Sequence, residues 1–185
     1  MIIGKHVRLR AISREDLPLF VEWINDPEVR RNLLFNNPLS IHQEEKWFTD
    51  TLACHVDEQP LTIEIKTEQG WQLAGNTSFM GINRHASSAE IGIFIGDKRF
   101  WNQGFGTEAM RLMVAHGFND LNFHRIFLHV FETNPRAVRA YEKVGFTHEG
   151  RYREARYLEG HYVDVLIMSI LKSEWNQLET KREGI

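Results

Sequence analysis

Two glycines one residue apart, Gly104 and Gly106, stand where a loop turns into a helix: Trp101-Asn102-Gln103-Gly104-Phe105-Gly106-Thr107-Glu108-Ala109. The strand-like run Ala89-Glu90-Ile91-Gly92-Ile93-Phe94-Ile95-Gly96 leads into them. Glycine carries no Cβ, so its backbone can approach a ligand closely. The first N–H groups of a helix lack intrahelical acceptors and lie at the positive end of its dipole. Together these features make a cradle for a phosphate or pyrophosphate.

Two common phosphate motifs do not fit. A Walker-type loop needs Lys and then Ser or Thr after the second glycine, whereas Gly106 is followed by Thr107-Glu108. The run Gly104 to Ala109 does match the dinucleotide fingerprint G-x-G-x-x-A, with an acid, Glu132, about 20 residues on. A dinucleotide turn, however, puts its first glycine almost at the strand end, and here Asp97 to Gln103 intervene. Nor does a βαβ unit precede the loop.

The elements that must position it can be read from periodicity. Val7, Leu9 and Ala11 alternate with Arg8 and Arg10, a strand over 6–12. Ser13 with Asp16 predicts a helix start, and Leu17, Phe20, Val21 and Ile24 give one apolar stripe. Asn25-Asp26-Pro27 ends that helix, and Ser40 with Gln43 predicts a capping box opening the next. Strands are expected at 60–67, 72–82 and 88–96, and a long helix from Gly104 to near Asn119. Strand His124–Glu132, helix Pro135–Val144 and strands over 146–156 and 161–171 follow. A hairpin-rich middle among helices predicts a mixed α/β (α+β) fold. One domain is expected over 1–178, with 179–185 as a polar tail.

Composition narrows the class. The 185 residues are 42% hydrophobic and 25% charged with a net charge of -3, ordinary for a globular protein. That balance gives no general attraction to nucleic acid or anionic lipid, so neither a nucleic acid nor a membrane is expected as partner. Cys54 is the single cysteine, which excludes an intrachain disulfide and points to a reducing, cytoplasmic setting. The histidines show no metal-ligand spacing, and no metal is expected.

The glycine block and the later run Asn134-Pro135-Arg136-Ala137-Val138-Arg139-Ala140-Tyr141-Glu142-Lys143-Val144-Gly145-Phe146 resemble the GNAT superfamily of N-acetyltransferases. Asn134, Ala137, Tyr141, Gly145 and Phe146 match the spacing of its N-x-x-A-x-x-x-Y-x-x-x-G-F signature. In the glycine block Trp101 departs from the family, standing three residues before the first glycine where the family has Gln or Arg. The branch of ribosomal-protein alanine acetyltransferases often carries an aromatic there. Val7-Arg8-Leu9-Arg10 and the late Gly145-Phe146…Glu149-Gly150…Gly160…Tyr162…Asp164…Met168 pattern resemble that branch too.

The resemblance implies a twisted, mostly antiparallel mixed sheet of about seven strands, splayed at the centre and flanked by about four helices. It implies acetyl-CoA as co-substrate, with direct transfer of the acetyl group to a primary amine. The coenzyme would be held by Ile93, Phe94, Ile95, Trp101, Asn102, Gln103, Gly104, Phe105, Gly106 and Thr107, joined by Asn134, Arg139, Tyr141 and Lys143.

Such transfer needs a neutral amine, donors for the oxyanion and a proton for the leaving thiolate. Tyr141 lies with Ala137, Val138 and Val144, away from Arg136, Arg139 and Lys143; it is a core tyrosine or, by resemblance, the proton donor. Glu90 is a solvent-side strand residue or, by resemblance, the base acting through a water. Asn134 before Pro135 reads as an N-cap, which can coexist with a contact to coenzyme or reaction water.

Phe35, Asn36, Trp47 and Tyr157 are the candidate acceptor-side residues. The acceptor is left open among a protein N-terminus, a polyamine and an amino sugar. Spermidine acetyltransferases tend to carry acids after the first helix, where this chain has Asn36-Asn37. A homodimer is compatible with the resemblance. A non-catalytic acyl-CoA sensor on the same fold is the rival reading.

Overall fold

The computed structural model describes residues 1–35 and 37–184. Residues 1–79 with 92–112 form one compact unit, and residues 80–91 with 113–185 form a second. Among the described residues there are eight strands and six α-helices, one strand and two helices more than the sequence predicts.

In the first unit, β1 (Ile2–Ile3), β2 (Val7–Ala11), β3 (Leu61–Thr67) and the part of β4 (Gly70–Asn83) up to Phe79 are neighbours in that order, all three pairs antiparallel. The end of β5 (Ser88–Ile95) lies beside β4. Ser13 opens a 3-10 turn over Arg14–Asp16 before α1 (Leu17–Asn25), because the Asp16 carboxylate accepts the Ser13 N–H at 3.0 Å and tightens the turn. Asp26 then caps the short α2 (Pro27–Arg30), accepting the Glu28 N–H at 2.8 Å. The expected capping box opens α3 (Ile41–Leu52): Ser40 Oγ accepts the Gln43 N–H, and Gln43 Oε1 accepts the Ser40 N–H.

The alternating arginines of β2 have a structural task. Arg10 reaches both oxygens of Asp16, at 2.8 and 2.7 Å, and Glu64 at 2.9 Å, while Arg8 also pairs with Glu64. Burial alone would raise the Asp16 carboxyl. Hydrogen bonds from Arg10, the Ser13 N–H and Thr62 outweigh it and hold the group below its ordinary value.

Glu44 is different. It lies on the α3 face that carries buried Phe48, is 4% exposed, and its carboxylate has no hydrogen-bond or ionic partner among the described residues. Burial pushes its carboxyl up from 4.5 to about 7. A raised carboxylate favours the protonated fold, so its stabilising contribution is full below the unfolded value and lost as pH rises through about 7. Glu44→Gln keeps the neutral shape. Its advantage over the parent should grow from none near pH 4 to on the order of 3 kcal/mol at pH 8, read from urea midpoints. An equal difference at both pH values contradicts the assignment.

The second unit contains the start of β5, then β6 (Arg125–Phe131), β8 (His161–Leu171) and β7 (Thr147–Leu158) in that spatial order. Strand β5 pairs parallel with β6, and the other two pairs are antiparallel. Helix α4 (Phe105–Asn119) begins in the first unit and ends in the second. Its Val114 and Phe118 are wholly buried.

Helix α5 (Pro135–Val144) has the expected bounds: Asn134 Oδ1 accepts the Ala137 N–H, and Gly145 ends the helix at φ 124°. Helix α6 (Lys172–Glu183) was not anticipated, and it extends through most of the segment expected to be a tail. Trp175, buried beside Phe118 with ring centroids 6.2 Å apart, anchors it.

Candidate active site

The glycine loop lies in the first unit. Trp101 Nε1 donates to the Ile95 carbonyl at 2.8 Å, tying the loop back to the end of β5. Gln103 Nε2 donates to the Arg99 carbonyl. Asn102 at φ 60° and Gly104 at φ 88° turn the chain into α4. From this turn the Glu108 N–H donates to the Gly104 carbonyl at 3.0 Å. The N–H groups of Phe105, Gly106 and Thr107 precede it at the positive helix end. Glu108 fixes the helix itself, its Oε1 accepting the His6 and Val7 N–H groups at 2.8 and 3.1 Å.

This geometry fits a pyrophosphate. A Cβ placed on Gly104 would meet nothing within 4 Å, and one on Gly106 would meet only Ile95 Cγ1 at an ordinary 3.7 Å. The protein thus leaves open space over the loop and tolerates a side chain at Gly106. Gly106→Val should leave the fold intact yet weaken acetyl-CoA binding at least tenfold, about 1.4 kcal/mol, by calorimetry. Unchanged affinity in the folded variant removes the loop from the coenzyme site.

Of the β5 residues, Phe94 is committed to packing, with ring centroids 6.0 Å from Phe20 and 6.2 Å from Trp23. Only its backbone is available to a ligand. Ile93 and Ile95 are half-buried. Phe35 is exposed, while Trp47 packs partly against the cluster of Ile12, Leu17, Phe20, Ile24 and Phe48. Asn36 lies outside the described residues. A separate cleft of about 670 Å³, lined by Leu19, Trp23, Gln72 and Lys98 among others, holds none of the candidate catalytic, coenzyme or acceptor residues.

The second unit holds the proton-handling candidates. The parallel ladder runs through Ser88↔Arg125 and Ala89↔Ile126 and stops at Glu90↔Phe127, although both strands continue. Glu90 therefore sits at the last rung. Its Oε1 is 2.7 Å from His129 Nδ1. The sequence gives no sign of this pair, because a parallel register between strands distant in the chain leaves no local pattern.

Tyr141 is half-buried, its ring beside Phe146 with centroids 6.1 Å apart. Burial pushes its phenol up to about 12. The hydroxyl has no hydrogen-bond partner among the described residues, and it is not a buried orphan. Asn134 caps α5 as expected. Arg139 and Lys143 are exposed on that helix, and the Lys143 carbonyl accepts Arg182 Nη2 at 2.9 Å. Tyr157 is exposed, edge-on to Tyr162 at 5.1 Å. Among the described residues no group of three His, Cys, Asp or Glu side chains could hold a metal ion.

Comparison with known proteins places this geometry in a class. Residues 6–147 match the family described as Acetyltransferase (GNAT) domain. The chain therefore belongs to the GNAT acetyltransferase family. A spermidine N(1)-acetyltransferase from Vibrio cholerae is 29% identical over 173 residues, 94% of this chain and 97% of that protein. A Bacillus subtilis protein named as a candidate ribosomal N-acetyltransferase is 27% identical over 177 residues, covering 94% and 95%. The crystal structure of the Vibrio cholerae spermidine N-acetyltransferase with CoA and spermine superposes with a TM-score of 0.83 over 94% of this chain and 99% of that one, at 29% identity. The chain is an acetyl-CoA-dependent N-acetyltransferase with a mixed, mostly antiparallel GNAT fold.

Proposed function

We propose that this enzyme moves the acetyl group of acetyl-CoA to a primary amine of a polyamine, with both substrates bound together. The observation that carries the acceptor is the likeness, along nearly the whole chain, to a spermidine N-acetyltransferase whose structure holds CoA and spermine. It outweighs the neutral Asn36-Asn37 segment, which from sequence alone argues for a less cationic acceptor. A protein N-terminus is the second reading, favoured by the ribosomal relative.

In this proposal residues 1–178 act as one catalytic domain. The backbone N–H groups after Gly104 hold the pyrophosphate, aided by the cations of Arg139 and Lys143. The backbone of Ile93 to Ile95 pairs with the pantetheine arm, and Asn134 adds a polar contact. Glu90 serves the removal of the amine's proton, and Tyr141 donates to the departing sulfur. Phe35, Asn36, Trp47 and Tyr157 contact the acceptor.

The compartment is the cytoplasm, in keeping with Cys54 as the single cysteine, exposed and free. A homodimer is the proposed assembly, for which the outer strand β7, exposed along most of its length, offers an edge.

Thiol release measured with spermidine, spermine, a glucosamine and an alanine-terminated peptide tests the acceptor. The polyamines should give the highest kcat/KM. A higher value for the peptide transfers the assignment to protein N-termini.

A further inference from the structure

The Glu90–His129 pair is built more carefully than a surface ion pair needs to be. Both side chains are about one-third exposed, at 33% and 30%, so they touch solvent without being free in it. Besides the 2.7 Å bond from Nδ1 to Glu90, the imidazole lies stacked on Tyr152 at 5.6 Å and 23°. Phe127 meets it edge-on at 5.9 Å and 89°. Tyr152 comes from β7 and reaches across β8 to do this. Three contacts from three strands thus fix the position and plane of one ring.

An ionised carboxylate can only accept, so Nδ1 donates to it, and in the neutral ring the lone pair lies on Nε2. That nitrogen has no protein partner among the described residues. On β6, β7 and β8, Arg125 pairs with Glu149, and Arg151 with Asp164 at 2.9 Å. The pair also straddles the rung at which β5 and β6 cease to pair.

We propose that His129 Nε2, held by Glu90 and Tyr152, is the group that takes the proton from the acceptor ammonium. This rests on the acetyltransfer reading above and makes Glu90 the positioning residue, not the direct base. An imidazole has a reference pKa of about 6.5 against about 4.3 for a glutamate, so it is the stronger base for an alkylammonium near 10.

The steps balance. One ammonium proton passes to Nε2, directly or through a water, giving an imidazolium beside the Glu90 carboxylate. The neutral nitrogen forms the C–N bond to the thioester carbonyl carbon. The C–S bond breaks with its electron pair on sulfur, the second proton that the nitrogen sheds on becoming an amide protonates that sulfur, and the imidazolium returns its own proton to solvent.

The test measures thiol release with a polyamine across pH for His129→Gln, Glu90→Gln and the double variant, with acetyl-CoA affinity as the control for folding. Each single change should lower kcat about 10²-fold, with coenzyme binding unchanged. The double variant should be no slower than the worse single one, since paired groups act as a unit. Both His129 variants should lose the acidic limb of the pH–rate profile. Added imidazole should restore part of the rate in His129→Ala but none in Glu90→Gln. Near-full turnover with an intact acidic limb in His129→Gln, or losses that multiply in the double variant, overturns the relay and returns the role to Glu90 alone. No thiol release by the unaltered enzyme from any amine overturns the acetyltransfer reading itself, and the relay with it.

Discussion

Replacing Tyr141 by Phe should slow thiol release roughly 10²-fold, the lower range for a positioned acid, while leaving the fold nearly untouched. The change removes only a hydroxyl that has no partner among the described residues, and it keeps the ring beside Phe146. The stability cost should therefore stay within about 1 kcal/mol. Because burial pushes the phenol up to about 12, it remains protonated through neutral pH, and no basic limb from Tyr141 should enter the rate profile at ordinary assay pH. Transfer from so weak an acid to a thiolate of about 8.5 is uphill. The hydroxyl acts as a hydrogen bond that strengthens as charge grows on sulfur. The defect should thus shrink with thioesters of more acidic thiols. Equal losses for good and poor leaving groups would show that Tyr141 positions the coenzyme, and full activity would reduce it to packing.

Gly75→Ala should destabilise the protein by about 3 kcal/mol or more, a large effect for one methyl group. A Cβ there would stand 1.9 Å from the Phe94 carbonyl oxygen, 2.9 Å from its carbon and 3.0 Å from Ile95 Cα. All three are backbone atoms and cannot swing aside. Beside Gly75, the Ala74 carbonyl accepts the Gly96 N–H at 2.8 Å, so this close approach sets the end of β5 from which the glycine loop departs. Acetyl-CoA affinity should fall together with the urea midpoint. An unchanged midpoint would mean that β4 and β5 separate at little cost.

The legible parts of the fold were those with local chemical punctuation. Helix α5 could be bounded because Asn134, Pro135 and Gly145 each act on their own backbone: a cap, a fixed φ and a left-handed stop. Ser40 and Gln43 did the same for α3. Helix α6 escaped because its sequence is polar nearly all round. Its hold on the second unit comes from Trp175 and Leu178, and the close approach of Leu178 to Gly145 is a tertiary contact with no sequence period. At the site, the glycines and Tyr141 were visible through spacing. His129 was visible only as a lone strand histidine. Its partner lies 39 residues away on a parallel neighbour, and nothing local encodes that register. The role of Trp101, bonded to the Ile95 carbonyl, was hidden for a similar reason: the bond depends on how the loop folds back.

Direct acetyl transfer from acetyl-CoA to a polyamine amine, as proposed, can be read from one incubation of the enzyme with acetyl-CoA and spermidine, followed by titration of free thiol and mass measurement of the polyamine. Singly acetylated spermidine should form in equal amount to the thiol released, with no acetyl group left on the protein. Tight acetyl-CoA binding with neither thiol nor acetylated product, from spermidine or any other amine, would contradict it and identify the chain as an acyl-CoA sensor.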